Sequence, residues 1–154
     1  MIKIGKLADY ALLIAQFMNN NQSNKKLYTN DEISRSTHIP VATVRKLLKK
    51  LVDAHIVKAY RGNSGGYKLS HSAQEISIAE VITAVEGPIS ITECALNKKS
   101  CDYFDRCDLK TNWMTINNFL VNTFSNISLA EMAETITENH LVNLNSSISF
   151  KALK

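Results

Sequence analysis

The chain has 154 residues, 45% of them hydrophobic, which is enough apolar surface to bury the core of one domain or of two small ones. No apolar run approaches the roughly 20 residues of a membrane-spanning helix, and the first stretch carries Asp9 and Gln16 without a small-residue cleavage site, so neither a membrane segment nor a signal peptide is expected. The compartment expected is the reducing cytoplasm. Net charge is +4, but residues 1–70 hold twelve Lys and Arg against four Asp and Glu, while residues 71–154 hold six against ten. A basic half joined to an acidic half points to a polyanion-binding module attached to something else, and nucleic acid is the commonest polyanion.

Leu7, Tyr10, Ala11, Ile14, Phe17 and Met18 recur at intervals of three and four, which predicts a helix from about residue 6 to 19. Asp9 lies off that stripe, facing solvent or a partner. Asn19 to Lys26 is polar and without period, a loop, and Leu27-Tyr28 is a candidate short strand. Thr29-Asn30-Asp31-Glu32 has the form of a capping box and opens a helix to about Ser36. His38-Ile39-Pro40 breaks it. Val41 then starts a helix whose Val44, Leu47, Leu48 and Leu51 share one face, with Arg45, Lys46, Lys49 and Lys50 on the other. In such a helix-turn-helix the cations suit phosphates, while Val41, Ala42 and Thr43 in the first turn reach toward base edges.

Ile56 to Tyr60 and Tyr67 to Ser70 read as two strands joined by Arg61-Gly62-Asn63-Ser64-Gly65-Gly66. The glycines permit positive φ and close backbone approach, and Arg61 at the base of the turn, with Ser64 and Gly65 at its tip, is placed to meet a minor groove. Helix-turn-helix followed by a hairpin is a winged helix. Ser77-Ile78-Ala79-Glu80 is a second capping box, opening a helix that Gly87-Pro88 ends. Farther on, Leu109, Trp113, Ile116, Leu120 and Phe124 approximate a heptad seam, broadened by Met114, Phe119 and Val121. A face this wide calls for cover, and a symmetric dimer supplies it economically, intramolecular packing being the alternative. A third capping box, Ser128-Leu129-Ala130-Glu131, predicts a short helix to about Thr137, and the Asn- and Ser-rich tail from Asn143 is expected to fray.

Between these two helical parts stand all three cysteines, Cys94, Cys101 and Cys107. An odd number cannot close a disulfide framework, and the residues around them are polar and charged. Soft thiolates select zinc, copper(I) or iron–sulfur clusters, so ligation is the leading reading, with redox-active thiols and inert thiols as the alternatives. No catalytic constellation stands beside them. The four histidines are scattered, and the Gly-rich turn lacks the Lys-Ser/Thr of a P-loop, so no enzyme is expected.

The order of elements, with Lys6-Leu7-Ala8-Asp9-Tyr10-Ala11, Arg61-Gly62-Asn63-Ser64-Gly65-Gly66-Tyr67 and the cysteine triad, resembles the bacterial winged-helix iron–sulfur regulators that include IscR and NsrR. The resemblance runs from about residue 1 to 138 and is nearest to the regulators of the SUF assembly operon. It implies a homodimer packed through long C-terminal helices, a 2Fe–2S or 4Fe–4S cluster on Cys94, Cys101 and Cys107, and a double-stranded DNA operator whose binding the cluster controls. Some members complete the ligand set with a histidine three residues after the last cysteine, where this chain has Lys110, a cation and a poor ligand. The nitric-oxide sensors use an aspartate from the first helix of the opposite subunit, and Asp9 stands at that position. Thr43 and Arg45 occupy positions where IscR has a tyrosine and an acidic residue, so a different operator sequence is implied.

The reading is therefore a mainly α chain with a small β wing. Residues 1–87 form a winged helix-turn-helix domain, 88–108 a cysteine-rich cluster-binding loop, 109–138 the dimerisation helices and 139–154 a flexible tail. Its function is DNA-binding transcriptional regulation, as a repressor of iron–sulfur assembly or stress genes, sensing through a cluster. The alternatives are sensing of nitric oxide, or of thiols or zinc without a cluster.

Overall fold

Helix α1 (Lys6–Asn20) turns Ala8, Ala11, Ile14, Ala15 and Met18 inward, as its three- and four-residue spacing requires. The computed structural model describes residues 3–20, 27–96, 101–138 and 141–143; most of the polar loop expected at 19–26, and the tail from residue 144, lie outside them.

Helix α2 (Asn30–Thr37) begins where the sequence places a capping box. Thr29 Oγ1 accepts from the Glu32 N–H at 3.2 Å, and the Glu32 carboxylate accepts from the Thr29 N–H at 2.9 Å, satisfying donors that a first helical turn leaves without partners. The helix stops at His38, which takes the left-handed conformation with φ 57°. Ser34 Oγ then donates to the Ile39 carbonyl at 2.6 Å and pins the turn. Helix α3 (Val41–Asp53) follows Pro40 and buries Val44, Leu47, Leu48 and Leu51 completely. It closes through His55, also left-handed at φ 59°, with the Ile56 N–H donating to the Leu51 carbonyl at 2.9 Å. That is where a helix C-terminus usually places glycine, so His55 has a backbone role here.

Strands β1 (Val57–Tyr60) and β2 (Gly66–Leu69) pair antiparallel, from Val57 opposite Leu69 to Tyr60 opposite Gly66. Alternation sends Val57 and Leu69 into the core and Lys58 and Lys68 outward as a directly opposed pair. The strand expected at Leu27-Tyr28 reduces to one bridging residue, Tyr28, which exchanges two 2.9 Å backbone bonds with Tyr67. In the turn, Gly62 sits at φ 114°, and a Cβ on Gly65 would fall on the Tyr60 carbonyl oxygen.

Helix α4 (Ile78–Glu86) starts at the second capping box and ends at Gly87 with φ 90°. A four-residue helix α5 (Glu93–Leu96) and a 3₁₀ turn (Phe104–Arg106) lie in the cysteine region, before the long helix α6 (Lys110–Ser125). The third capping box forms, Ser128 Oγ accepting from the Glu131 N–H at 3.1 Å. The helix expected behind it does not. Only the 3₁₀ turn Glu131–Ala133 follows, and Glu134 is extended. The residues that would continue it, Thr135-Ile136-Thr137, are consecutive β-branched residues of low helix propensity. Ahead of the turn, Ile78 N–H donates to Ile127 O at 3.0 Å, Leu129 N–H to Ile76 O at 2.7 Å and Ala130 N–H to Ala73 O at 3.1 Å. These bonds pull the segment flat against the approach to α4, and Leu129 enters the same buried cluster as Ile14, Leu47 and Val81. Among the described residues no helix is long and apolar enough to cross a membrane.

Candidate DNA interface and cysteine centre

Exposed cations stand on two elements. Helix α3 presents Ala42, Arg45, Lys46 and Lys49 exposed along one side, with Val41 and Thr43 half-buried in its first turn. No side chain caps that turn: Pro40 supplies only its carbonyl, to the Thr43 and Val44 N–H groups at 2.8 and 3.0 Å. The positive end of the α3 dipole thus meets solvent beside the cations, an arrangement that favours phosphate. Lys50, expected on the same ridge, is turned inward instead. It is half-buried, and its ammonium donates to the Val85 carbonyl in the last turn of α4, so it straps α3 to α4.

The wing adds more charge than Arg61 alone. Arg61 and Ser64 are exposed at the turn, with Gly65 half-buried behind them. Lys58 and Lys68, which sequence reasoning did not single out, stand directly opposite each other on the outer face. Like charges so placed repel, and Lys68 relieves part of this by laying its ammonium over the Tyr60 ring at 5.1 Å. An uncompensated cationic pair on a two-stranded hairpin is costly in the free chain and favourable against a polyanion. The signal was the alternation itself, which puts residues 58 and 68 on the face away from Val57 and Leu69.

The cysteines occupy the connector between α4 and α6. All three are free thiols; Cys94 is 9% exposed on α5, and Cys101 and Cys107 are half-buried on either side of the 3₁₀ turn. Thr92 Oγ1 lies 3.2 Å from the Cys94 sulfur. Lys110 is occupied elsewhere, its ammonium 4.9 Å from the Phe104 ring centroid. Asp9 is exposed in the first turn of α1. Among the described residues no three His, Cys, Asp or Glu side chains converge to hold a metal ion, so the geometry gathers the thiols on one connector without closing a ligand set.

Helix α6 is the other notable surface. Trp113, Ile116 and Phe119 are 38, 47 and 42% exposed along one face, continued by Leu109. Asn117, one turn beyond Trp113, is buried. It sits among residues that sequence reasoning took only as an apolar stripe, and its polarity within that stripe was the available signal.

A helix-turn-helix followed by an antiparallel hairpin, each carrying exposed cations, is the architecture of a winged-helix DNA-binding regulator. The Rrf2 family model, described as an iron-dependent transcriptional regulator, matches residues 4–135, and the chain belongs to that family. The HTH-type transcriptional regulator IscR of Serratia proteamaculans is 34% identical over 101 residues, covering 66% of this chain and 61% of that protein. The chain spans about three fifths of the length of the curated relatives it matches. Among solved structures, CymR (YrzC), the global cysteine regulator of B. subtilis, superposes with TM-score 0.67 at 24% identity, over 86% of this chain and 97% of that one. T. potens IscR does so with TM-score 0.65 at 17% identity, over 90% and 95%. The family and these relatives are transcriptional regulators and not enzymes, in line with the expectation from sequence.

Proposed function

We propose that the chain is a homodimeric repressor whose DNA affinity is set by an iron–sulfur cluster on Cys94, Cys101 and Cys107, completed by the partner subunit's Asp9. The observation that carries this reading is placement. The three free thiols lie on the only stretch of chain running from α4, on the DNA-binding core, to the exposed apolar helix α6. A 2Fe–2S or 4Fe–4S group bound there would supply a cross-link among thiolates and sensitivity to oxidants or nitric oxide. The donors suit it, being soft, clustered in sequence and partly exposed. The family's description as iron-dependent supports it too. Genes of iron–sulfur assembly are the regulated set that the resemblance to SUF-operon regulators favours.

On the DNA side, two copies of α3 held about 34 Å apart would enter successive major grooves. Val41, Ala42, Thr43 and Arg45 would face the bases, and Lys46, Lys49, Lys58, Arg61, Lys68 and the wing tip at Ser64 and Gly65 the backbone. With Arg45 and Thr43 as readers, the preferred operator differs from that of IscR. Lys46→Ala is expected to flatten the slope of log affinity against log salt by about 1 for each subunit bound, since each phosphate contact releases condensed counterions. Lys50→Met should leave the slope where it was, because that ammonium is committed to Val85. Equal slopes for Lys46→Ala and wild type would remove Lys46 from the phosphate contacts.

The cluster is tested by anaerobic purification and reconstitution with iron and sulfide. Brown protein that bleaches on exposure to oxygen or nitric oxide, with Cys94→Ser and Cys107→Ser colourless, is the expected result. Colourless wild-type protein carrying no iron would overturn it, and stoichiometric zinc on the same sample would establish the zinc alternative.

A further inference from the structure

We infer that Asn117 of α6 is a positioning residue that fixes Cys94, by holding the chain leading into α5 as a neighbouring strand would. Asn117 is 5% exposed and is the buried polar side chain among the described residues. Its Oδ1 accepts from the Ile91 N–H at 3.0 Å, and its Nδ2 donates to the Ile89 carbonyl at 3.4 Å. A side-chain amide that takes the N–H of one residue and the C=O of the residue two before it reproduces the pairing of a β ladder. Only a group with both a donor and an acceptor at that reach can do so. The next contacts run without a gap to the thiol. Ser90 Oγ donates to the Thr92 carbonyl, that carbonyl also accepts from the Ala95 and Leu96 N–H groups at 3.1 and 3.3 Å, and Thr92 Oγ1 meets the Cys94 sulfur. Cys94 is thereby fixed against α6, whereas Cys101 and Cys107 come later in the chain and flank the 3₁₀ turn.

The consequence for sensing rests on the proposed cluster: a thiolate anchored to the helix proposed as the dimer contact would carry any change at the connector into the dimer. The anchoring itself does not depend on a cluster, so it is tested on the reduced, metal-free full-length chain. Alkylation by N-ethylmaleimide, resolved by residue with mass spectrometry, reports the opening of each cysteine site. Asn117→Leu, similar in size but unable to bond, is expected to speed labelling of Cys94 about tenfold, the effect of losing a buried hydrogen bond. Cys101 and Cys107 should change by less than about twofold. Asn117→Asp, which keeps the acceptor for Ile91, should fall between. Ile33→Val, which loosens the core far from the connector, should leave Cys94 labelling unchanged. In the wild-type chain, where no folding risk arises, the Ile91 amide should exchange with solvent at least about tenfold more slowly than an unprotected amide. Cys94 labelling in Asn117→Leu no faster than in Ile33→Val, or an Ile91 amide exchanging at the unprotected rate, would overturn the inference. If these results hold and no variant ever binds iron, the cluster reading fails and the positioning role stands.

Discussion

Replacing Ile116 by glutamate is expected to convert the protein from twice to once the single-chain mass in light scattering and to cut operator affinity by about 10²–10⁴-fold. Ile116 lies at the middle of the exposed face formed by Leu109, Trp113 and Phe119, where four large apolar side chains, 58, 38, 47 and 42% exposed in chain order, follow one another at spacings of four, three and three. A contiguous patch of that kind is uncommon on a monomer and is the usual mark of an interface. Two copies of one helical face packed about a twofold axis would bring each Ile116 toward the partner's stripe, where a glutamate would be an unpaired buried charge. The loss in affinity follows from linkage. In a dimer the second half-site binds at the effective concentration set by the first, and that gain disappears when the subunits part. Because Ile116 contributes little to the core of its own chain, the urea midpoint of the monomer should hold within the range of surface substitutions, about 0.5 kcal/mol. A variant that keeps the double mass would assign the stripe to some other cover, and one that loses its fold would place Ile116 in the core.

The parts of the fold that were legible in the sequence are those where a local signal and the tertiary context agree. The boxes at Thr29 and Ser77 marked the starts of α2 and α4 because the reciprocal bonds they make are local and need nothing else from the protein. His38-Ile39-Pro40 marked the turn between α2 and α3 because proline cannot continue a helix. The glycines of the wing were legible as a tight turn, although only their surroundings tell which needs positive φ and which needs empty space. The box at Ser128 misled for the opposite reason. It forms, but the helix it opens gets no further than one turn, and the bonds that hold the segment run from Leu129 and Ala130 back to Ile76 and Ala73, partners that leave no local trace.

The site divides in the same way. Arg45, Lys46 and Lys49 were placed on one exposed face by helical spacing alone, but the same spacing could not show that Lys50, one residue farther round, finds a carbonyl of α4. For the cysteines, residue type pointed to the ligation that is proposed, and sequence distance named the connector. Their arrangement in space depends on α5, on the turn at Phe104–Arg106 and on an amide 23 positions downstream of Cys94, none of which a motif encodes. Asp9 is exposed on the surface of the chain, so the ligand role proposed for it would be met only in the proposed dimer.

Leu129→Ala is expected to lower the unfolding free energy by about 2–5 kcal/mol, the range for emptying a buried leucine site. Leu129 is fully buried, and its chain segment comes after α6, so it returns the far end of the proposed dimer helix to the core that carries α3. The site has little freedom to collapse. Backbone bonds on both sides of it, Ile78 to Ile127 and Ala130 to Ala73, hold the segment in place, so a truncated side chain leaves a cavity. Against a typical domain stability of about 5–15 kcal/mol, the loss is a large fraction of the whole. Met132→Ala, three residues on and 42% exposed, is the matched control and should change stability by no more than about 0.5 kcal/mol. Urea titration of the two variants separates the cases. A loss below about 1 kcal/mol for Leu129→Ala would mean that backbone bonds, and not this side chain, hold the far end of α6 to the winged domain. A loss in the expected range means that α6 is held at both ends, by the connector before it and by Leu129 after it, and a helix held at both ends can pass a change in its packing on to the recognition helix.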